Sequence, residues 1–193
     1  MHKVSDLQNV QMTENNDLPD LKLRASRGGF SLLVASQAVP IIVLINLRYV
    51  MAASYVSPHV DQLSGALISL VMIASGLAAW LALMNVKQRN KMQLNRFFWI
   101  TMVLGAIAAV MAFFQLWFHG VNSVGHYGET YLTITGVLAG YMLIGLIALY
   151  SGMARNWRVG LNDDNEFSVG STFKYWIFIV IAWLIMYLDL YLF

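Results

Sequence analysis

The sequence predicts an all-α membrane protein of five transmembrane helices, and three observations predict it. Hydrophobic residues make up 59% of the 193 and charged residues only 11%, where a soluble domain carries about 25% charged residues. The apolar residues gather in five blocks, each long enough to cross a bilayer, which takes roughly 20 residues at about 1.5 Å apiece. Eleven of the twelve lysines and arginines fall in the N-terminal tail or on alternate connections between those blocks, as a real membrane topology demands.

Residues 1–28 are polar and mixed in charge, with Asp6, Glu14, Asp17 and Asp20 set against Lys3, Lys22, Arg24 and Arg27. A secretory signal opens with a basic patch and a short apolar run, and mitochondrial presequences avoid acids. Neither pattern is present, so the segment reads as a cytoplasmic polar tail, flexible to about Leu21. The transmembrane domain then covers 29–193, with spans at 29–53, 64–86, 97–119, 131–154 and 173–193. The first holds Pro40 in mid-span, which removes a backbone bond and predicts a bend. The second is rich in Gly, Ala and Ser, and the third opens on Phe97, Phe98 and Trp99. In the fourth, Gly136 and Gly140 form a GxxxG step beside Thr133, Thr135, Ala139 and Gly145. The fifth is aromatic, with Tyr175, Trp176, Trp183 and Tyr187. Apolarity on every side of each helix excludes amphipathic surface helices. The connections are short except for a longer polar stretch at 155–172, so no soluble domain fits between spans.

The basic residues orient the chain. Lys87, Arg89, Lys91 and Arg96 follow the second span, and Arg155, Arg158 and Lys174 follow the fourth, on the same side as the tail. Arg48 alone sits near the other face. The positive-inside rule therefore predicts the N-terminus in the cytoplasm and the C-terminal end outside.

Several chemistries are excluded by composition. Without cysteine there are no disulfides, thiolate metal sites or cysteine-bridged copper pairs. A net charge of +2 is too small to suggest nucleic acid. Haem or copper in a membrane bundle needs inward imidazoles at membrane depth, and His2, His59, His119 and His126 all lie outside mid-span. His119 reads as an interfacial imidazole. It could share a metal with His126 on the outer face, but no carboxylate or thiolate cluster accompanies them. We therefore expect no catalytic, cofactor-binding or metal site in this chain.

Charged groups within spans are functional suspects. Arg48 lies about three turns after Gln37, so the two share one face of the first helix. With Asn46 they could line a polar pathway of a small transporter or channel. The preferred reading has Arg48 snorkelling to the outer interface while Gln37 bonds a neighbouring helix. Asp189 reads as interfacial. Glu129, opening the fourth helix, suits the positive end of its dipole. The Gly136–Gly140 step is either a docking face for a partner or a packing face within the bundle, and both readings stay open. Trp99, Trp117, Trp157 and Trp176 lie near span ends, where an aromatic belt belongs.

The order of these motifs resembles subunit III of the haem–copper oxidases, in a short five-helix form. The first helix reads G-x-x-L-L-x-A-S-Q from Gly29 to Ser36 and Gln37, then Leu47-Arg48. Gln115-Leu116-Trp117 is similar to the family's third-helix ending, and Thr130 through Gly136 (T-Y-L-T-I-T-G) to its T-F-F-x-x-T-G. Tyr175-Trp176-Ile177-Phe178 and Trp183-Leu184-x-x-Tyr187 resemble Y-W-H-F and W-L-x-x-Y. The resemblance spans nearly all of 25–193. It departs wherever the family is ionisable: Gln37 and Phe118 stand for glutamates, Leu138 and Tyr141 for histidines, Ile177 and Val180 for a histidine and an aspartate.

The resemblance implies a divergent, non-catalytic subunit III in the cell membrane of a prokaryote, bound to oxidase subunits I and II and to phospholipids. Haem and copper would sit in those partners, and electron transfer from cytochrome c or quinol to oxygen would belong to the complex. A helper of a nitric oxide reductase or of a respiratory supercomplex is the related alternative. The candidate packing or lipid-cleft positions are Ser36, Gln37, Arg48, Gln115, Thr135, Gly136, Gly140, Tyr141, Trp176 and Trp183.

Overall fold

The computed structural model describes residues 2–52, 56–57, 60–118, 126–161 and 163–191. Five helices make up the described chain: α1 His2–Ala52, α2 Gln62–Lys87, α3 Lys91–Trp117, α4 His126–Val159 and α5 Asp163–Tyr191. Residues 1–39 and 40–193 form two separate units. Each helix contains a stretch apolar and long enough to cross a membrane, so the all-α, five-helix class is what the structure adopts.

The helices outrun their apolar blocks. Hydrocarbon thickness limits only the apolar length, whereas a helix already nucleated gains a backbone bond with each residue added. The backbone expected as a flexible tail is helical from His2. The polar stretch at 155–172 is divided between the end of α4, which closes at Val159, and the start of α5, which opens at Asp163. Pro40 lies within α1 without interrupting it.

Polar side chains set the helix ends. The Asp61 carboxylate accepts a bond from the Ser64 amide at 3.1 Å, and the Asn90 side chain accepts one from the Gln93 amide at 3.3 Å. Between α2 and α3 the chain reverses in three residues, helped by Arg89 at φ 56°. Gly160, at φ 79°, ends α4 with its amide bonded to the Asn156 carbonyl at 2.8 Å, the left-handed stop that glycine adopts without a Cβ clash.

Within 40–193, α2 packs on α3 and α5, and α4 packs on α5 and α3, so the four helices close a ring. Helices α2 and α5 run antiparallel. Ser69 meets Trp183, Ser75 meets Trp176, and Gly76 and Gly170 meet Val180 and Leu83 in turn. Outside the ring, large apolar side chains such as Leu70, Leu77, Val110 and Ile147 are exposed. A chain that faces lipid keeps its large apolar groups outward and turns small residues inward. Ala79, Ala82, Ala108 and Ala112 are accordingly fully buried.

Trp176 of α5 fills the centre of this ring. It was expected in an aromatic belt and is instead 0% exposed, unlike Trp99, Trp117 and Trp157, which are 47–83% exposed. Its ring lies against Gly105 of α3, where a Cβ would come within 2.5 Å, and against Gly145 of α4, where one would come within 2.8 Å. Its Nε1 donates to Ser75 Oγ of α2 at 2.9 Å, and that hydroxyl donates to the Thr101 carbonyl of α3 at 3.2 Å. Sequence position put Trp176 near a span end, but α5 extends ten residues upstream of the apolar block, which moves Trp176 towards the helix middle.

A side chain at Gly105 should therefore displace Trp176. We expect Gly105→Leu to lower stability by about 1–3 kcal/mol, the usual cost of overpacking. Gly136→Leu, where a Cβ meets nothing within 4 Å, should stay within about 0.5 kcal/mol of wild type. Denaturant unfolding in micelles measures both; equal losses would refute the central place of Trp176.

Candidate functional site

The residues that the sequence singled out fall into three groups, two inside the bundle and one on its surface. Trp176 and Trp183 belong to the first group. Trp183 is buried and donates from Nε1 to Ser69 Oγ at 3.0 Å; Ser69 donates to the Gly65 carbonyl at 2.8 Å. The two indoles lie seven residues apart on one face of α5 and bind two serines of α2. Both serve internal packing.

Gln115 joins this interior at the C-terminal end of α5. Its Nε2 donates to the Tyr191 hydroxyl at 2.7 Å, and the Tyr191 and Tyr131 hydroxyls lie 2.9 Å apart in a shared bond. Tyr127 donates to the Leu190 carbonyl at 2.8 Å. Tyr191 also covers Gly65, where a Cβ would come within 2.7 Å. One hydroxyl thus draws α3, α4 and α5 together beside α2. Sequence reasoning missed Tyr191 as the partner of Gln115, and Tyr131 as the partner of Tyr191. A buried amide near a span end needs donors and acceptors, and those tyrosines were the nearest available at that level.

The second group is an ion pair. Arg48 is 0% exposed and its Nε lies 3.7 Å from Asp189 Oδ2. The guanidinium also lies over the Tyr49 ring at 5.4 Å from the centroid, and the Tyr49 hydroxyl hydrogen-bonds Asp189. The expectation that Arg48 snorkels outward is corrected here, since its guanidinium is buried against Asp189. A buried cation without a counter-ion costs several kcal/mol, and Asp189 of α5 offsets part of that cost. The five-span topology puts the ends of the first and fifth spans on one face, which was the available signal. Asn46 donates to the Ile42 carbonyl of its own helix at 2.8 Å.

The third group is open. A Cβ at Gly136 or Gly140 would meet nothing within 4 Å. The close approaches inside the bundle occur at other glycines: Gly65, Gly105, Gly145 and Gly152. Of the two readings of the GxxxG step, packing within the bundle is not what the described residues do with it. Thr135 and Tyr141 turn the other way and are buried. Within residues 2–39, Ser36 is exposed and donates to the Leu33 carbonyl at 2.7 Å, and Gln37 is half-buried.

Where the resemblance leads one to expect ionisable groups, Leu138, Tyr141 and Val180 are buried, Ile177 is half-buried and Phe118 is exposed. The replacements on α4 and α5 are packed positions. Among the described residues no three His, Asp or Glu side chains converge as a metal set. His59 and His119 lie outside the described residues, and His126, the first residue of α4, is exposed. Glu129 lies in the first turn of α4.

Comparison with known proteins then settles the lineage. The sequence profile of cytochrome c oxidase subunit III matches residues 44–193. The chain belongs to the cytochrome c oxidase subunit III family. It is 24% identical over 126 residues to cytochrome c oxidase subunit 3 of Spodoptera frugiperda, covering 64% of this chain and 84% of that one. Against the subunits 3 of Petromyzon marinus and Loxodonta africana it is 23% and 25% identical, over 63% of this chain and 47% of theirs. The chain thus spans about half the length of the vertebrate relatives it matches. The subunit III family and the five long apolar helices make it a multi-pass membrane protein.

The ion pair predicts a coupled effect. Asp189→Asn strands the Arg48 charge and should cost about 3–5 kcal/mol. The double variant Arg48→Met, Asp189→Leu should recover most of that loss. Thermal unfolding of both in one detergent checks the expectation, and a double variant as unstable as the single would refute it.

Proposed function

We propose that this chain is the non-catalytic subunit III of a haem–copper terminal oxidase, working by docking beside the redox subunit in lipid. The observation that carries the reading is the family match over 44–193, which takes in the C-terminal end of α1 and all of α2–α5. Subunits I and II are the partners this implies, with haem and copper held by them and cytochrome c or quinol oxidised by the assembly. The positive-inside rule favours the N-terminus on the cytoplasmic side, in the inner membrane of a prokaryote.

The open face of Gly136 and Gly140 supports α4 as the docking surface. Without a hydrophobic drive between helices in lipid, close backbone approach is what holds them, and small residues permit it. Thr133, exposed one turn away and bonded to the Glu129 carbonyl, keeps that face narrow. Phospholipid would fill the surfaces that remain. The paired Arg48 and self-bonded Asn46 weaken the alternative of a polar conduit along α1.

Purification through this chain in mild detergent should bring down larger haem-bearing chains. The variant Gly136→Leu, Gly140→Leu should reach the membrane at wild-type level yet lose at least about tenfold of that haem, a difference of about 1.4 kcal/mol in association. Recovery of the wild-type chain without haem-bearing partners would overturn the reading.

A further inference from the structure

Helix α2 packs with one side and leaves a patterned stripe on the other. Its inner side, set against α3 and α5, is a seam in which Ile68, Met72, Ser75, Ala79, Ala82 and Val86 are each at most 1% exposed. Their steps alternate between four and three residues, a period of 3.5 that keeps the seam on its neighbours along the helix. A helix that holds one such line on one side holds a second along the other. That outer line is Leu63, Leu67, Leu70, Leu77, Leu81 and Met84, with exposed Ala74 at its midpoint, and the six large side chains are 41–72% exposed.

The spacing of that line follows from the inner seam; its composition does not. On its own outer side α3 shows the same spacing with Val103, Ile107, Val110, Phe114 and Trp117, a mixture of branched and aromatic shapes that needs no partner but lipid. On α2, leucine or methionine recurs at every step except the middle one. In a coiled pair of helices each such residue is a knob that enters a hole formed by four residues of the partner. A stripe of one repeated shape offers knobs and holes of matching size at every level, so the partner it fits is a copy of itself. Two copies inserted in the same sense run parallel and set Ala74 opposite Ala74. Their backbones come closest there, as small residues allow in lipid, and the leucines to either side diverge at the shallow crossing of about 20° usual for such pairs.

We infer that α2 is a self-association face, joining two copies of this chain through a parallel leucine seam from Leu63 to Met84. The area suffices: the six side chains expose roughly 600 Å² on each copy, so a pair buries about 1,200 Å², where specific interfaces begin. Among the described residues α2 touches α3 and α5 but not α4, which lies across the ring. The seam is therefore separate from the strip at Gly136 and Gly140, and a pair joined through α2 leaves both α4 strips free. With α4 docked on a redox subunit, as proposed above, the α2 seam joins two such assemblies.

The chain has no cysteine, so a single engineered thiol reports the pair in native membranes holding the full chain and its partners. A parallel seam puts the two Ala74 Cα atoms about 6 Å apart, a span that a disulfide bridges. Under a membrane-permeant oxidant, A74C should give a disulfide-linked dimer of twice the chain's mass. I73C, exposed but one position off the line, and V110C, on the outer line of α3, should give little of it. In an L70A/L77A background the A74C dimer should fall about tenfold; both leucines face outward, so the bundle itself should unfold as wild type does. Adding Gly136→Leu, Gly140→Leu should leave the A74C dimer intact while haem co-purification is lost, which separates this face from the docking strip. An A74C dimer no stronger than that of I73C or V110C, or one undiminished by L70A/L77A, would overturn the inference. Linkage of A74C to a chain of another mass would assign the face to a different subunit and overturn it as well.

Discussion

Four helices can close around Trp176 only because three of them present almost nothing at its level. Gly105 and Gly145 leave room for the two edges of the indole, and Ser75 offers a single oxygen to its N–H. In lipid the association of helices draws little from the hydrophobic effect, since the tails outside are as apolar as the core within. Contact density and a few polar bonds must hold the bundle instead. A tryptophan in a two-glycine cradle supplies the first, and its hydrogen bond to Ser75, passed on to the Thr101 carbonyl, supplies the second. The same device recurs two turns along α5, where Trp183 binds Ser69.

The two ends of the bundle are finished differently. At the C-terminal end of α5, Tyr191 gathers Gln115 and Tyr131 by hydrogen bonds, and Arg48 of α1 is paired with Asp189. These are buried polar contacts, costly to leave unsatisfied where no water competes. At the other end the contacts are exposed: Arg89 lies 3.8 Å from Glu166, both partly open to solvent, and screening leaves such a pair little net stabilisation. Stability thus rests on the indole layer and on the buried end, while the basic end keeps side chains accessible.

The glycines divide along the same line. Gly65, Gly105, Gly145 and Gly152 are each filled from within by Tyr191, Trp176, Ile179 or Thr172. At Gly136 and Gly140 a Cβ would meet nothing within 4 Å among the described residues. Packed residues at Leu138 and Val180, where relatives of this kind were expected to be ionisable, point in the same direction. A polypeptide whose interior is spent on holding its own helices has its surface left for association.

By itself the sequence determined the class and the number of helices, because hydrocarbon thickness and charge asymmetry are one-dimensional constraints that composition along the chain must obey, while the family was carried by the ordered motifs along the spans. The partners were decided only in three dimensions. The span count put Arg48 and Asp189, 141 residues later, on one face but did not say that the two would meet, and nothing in a GxxxG step says whether another helix of the same chain will fill it. Trp176 shows why: its depth depends on where α5 begins, and that is set by backbone hydrogen bonding beyond the apolar block, which hydropathy does not record.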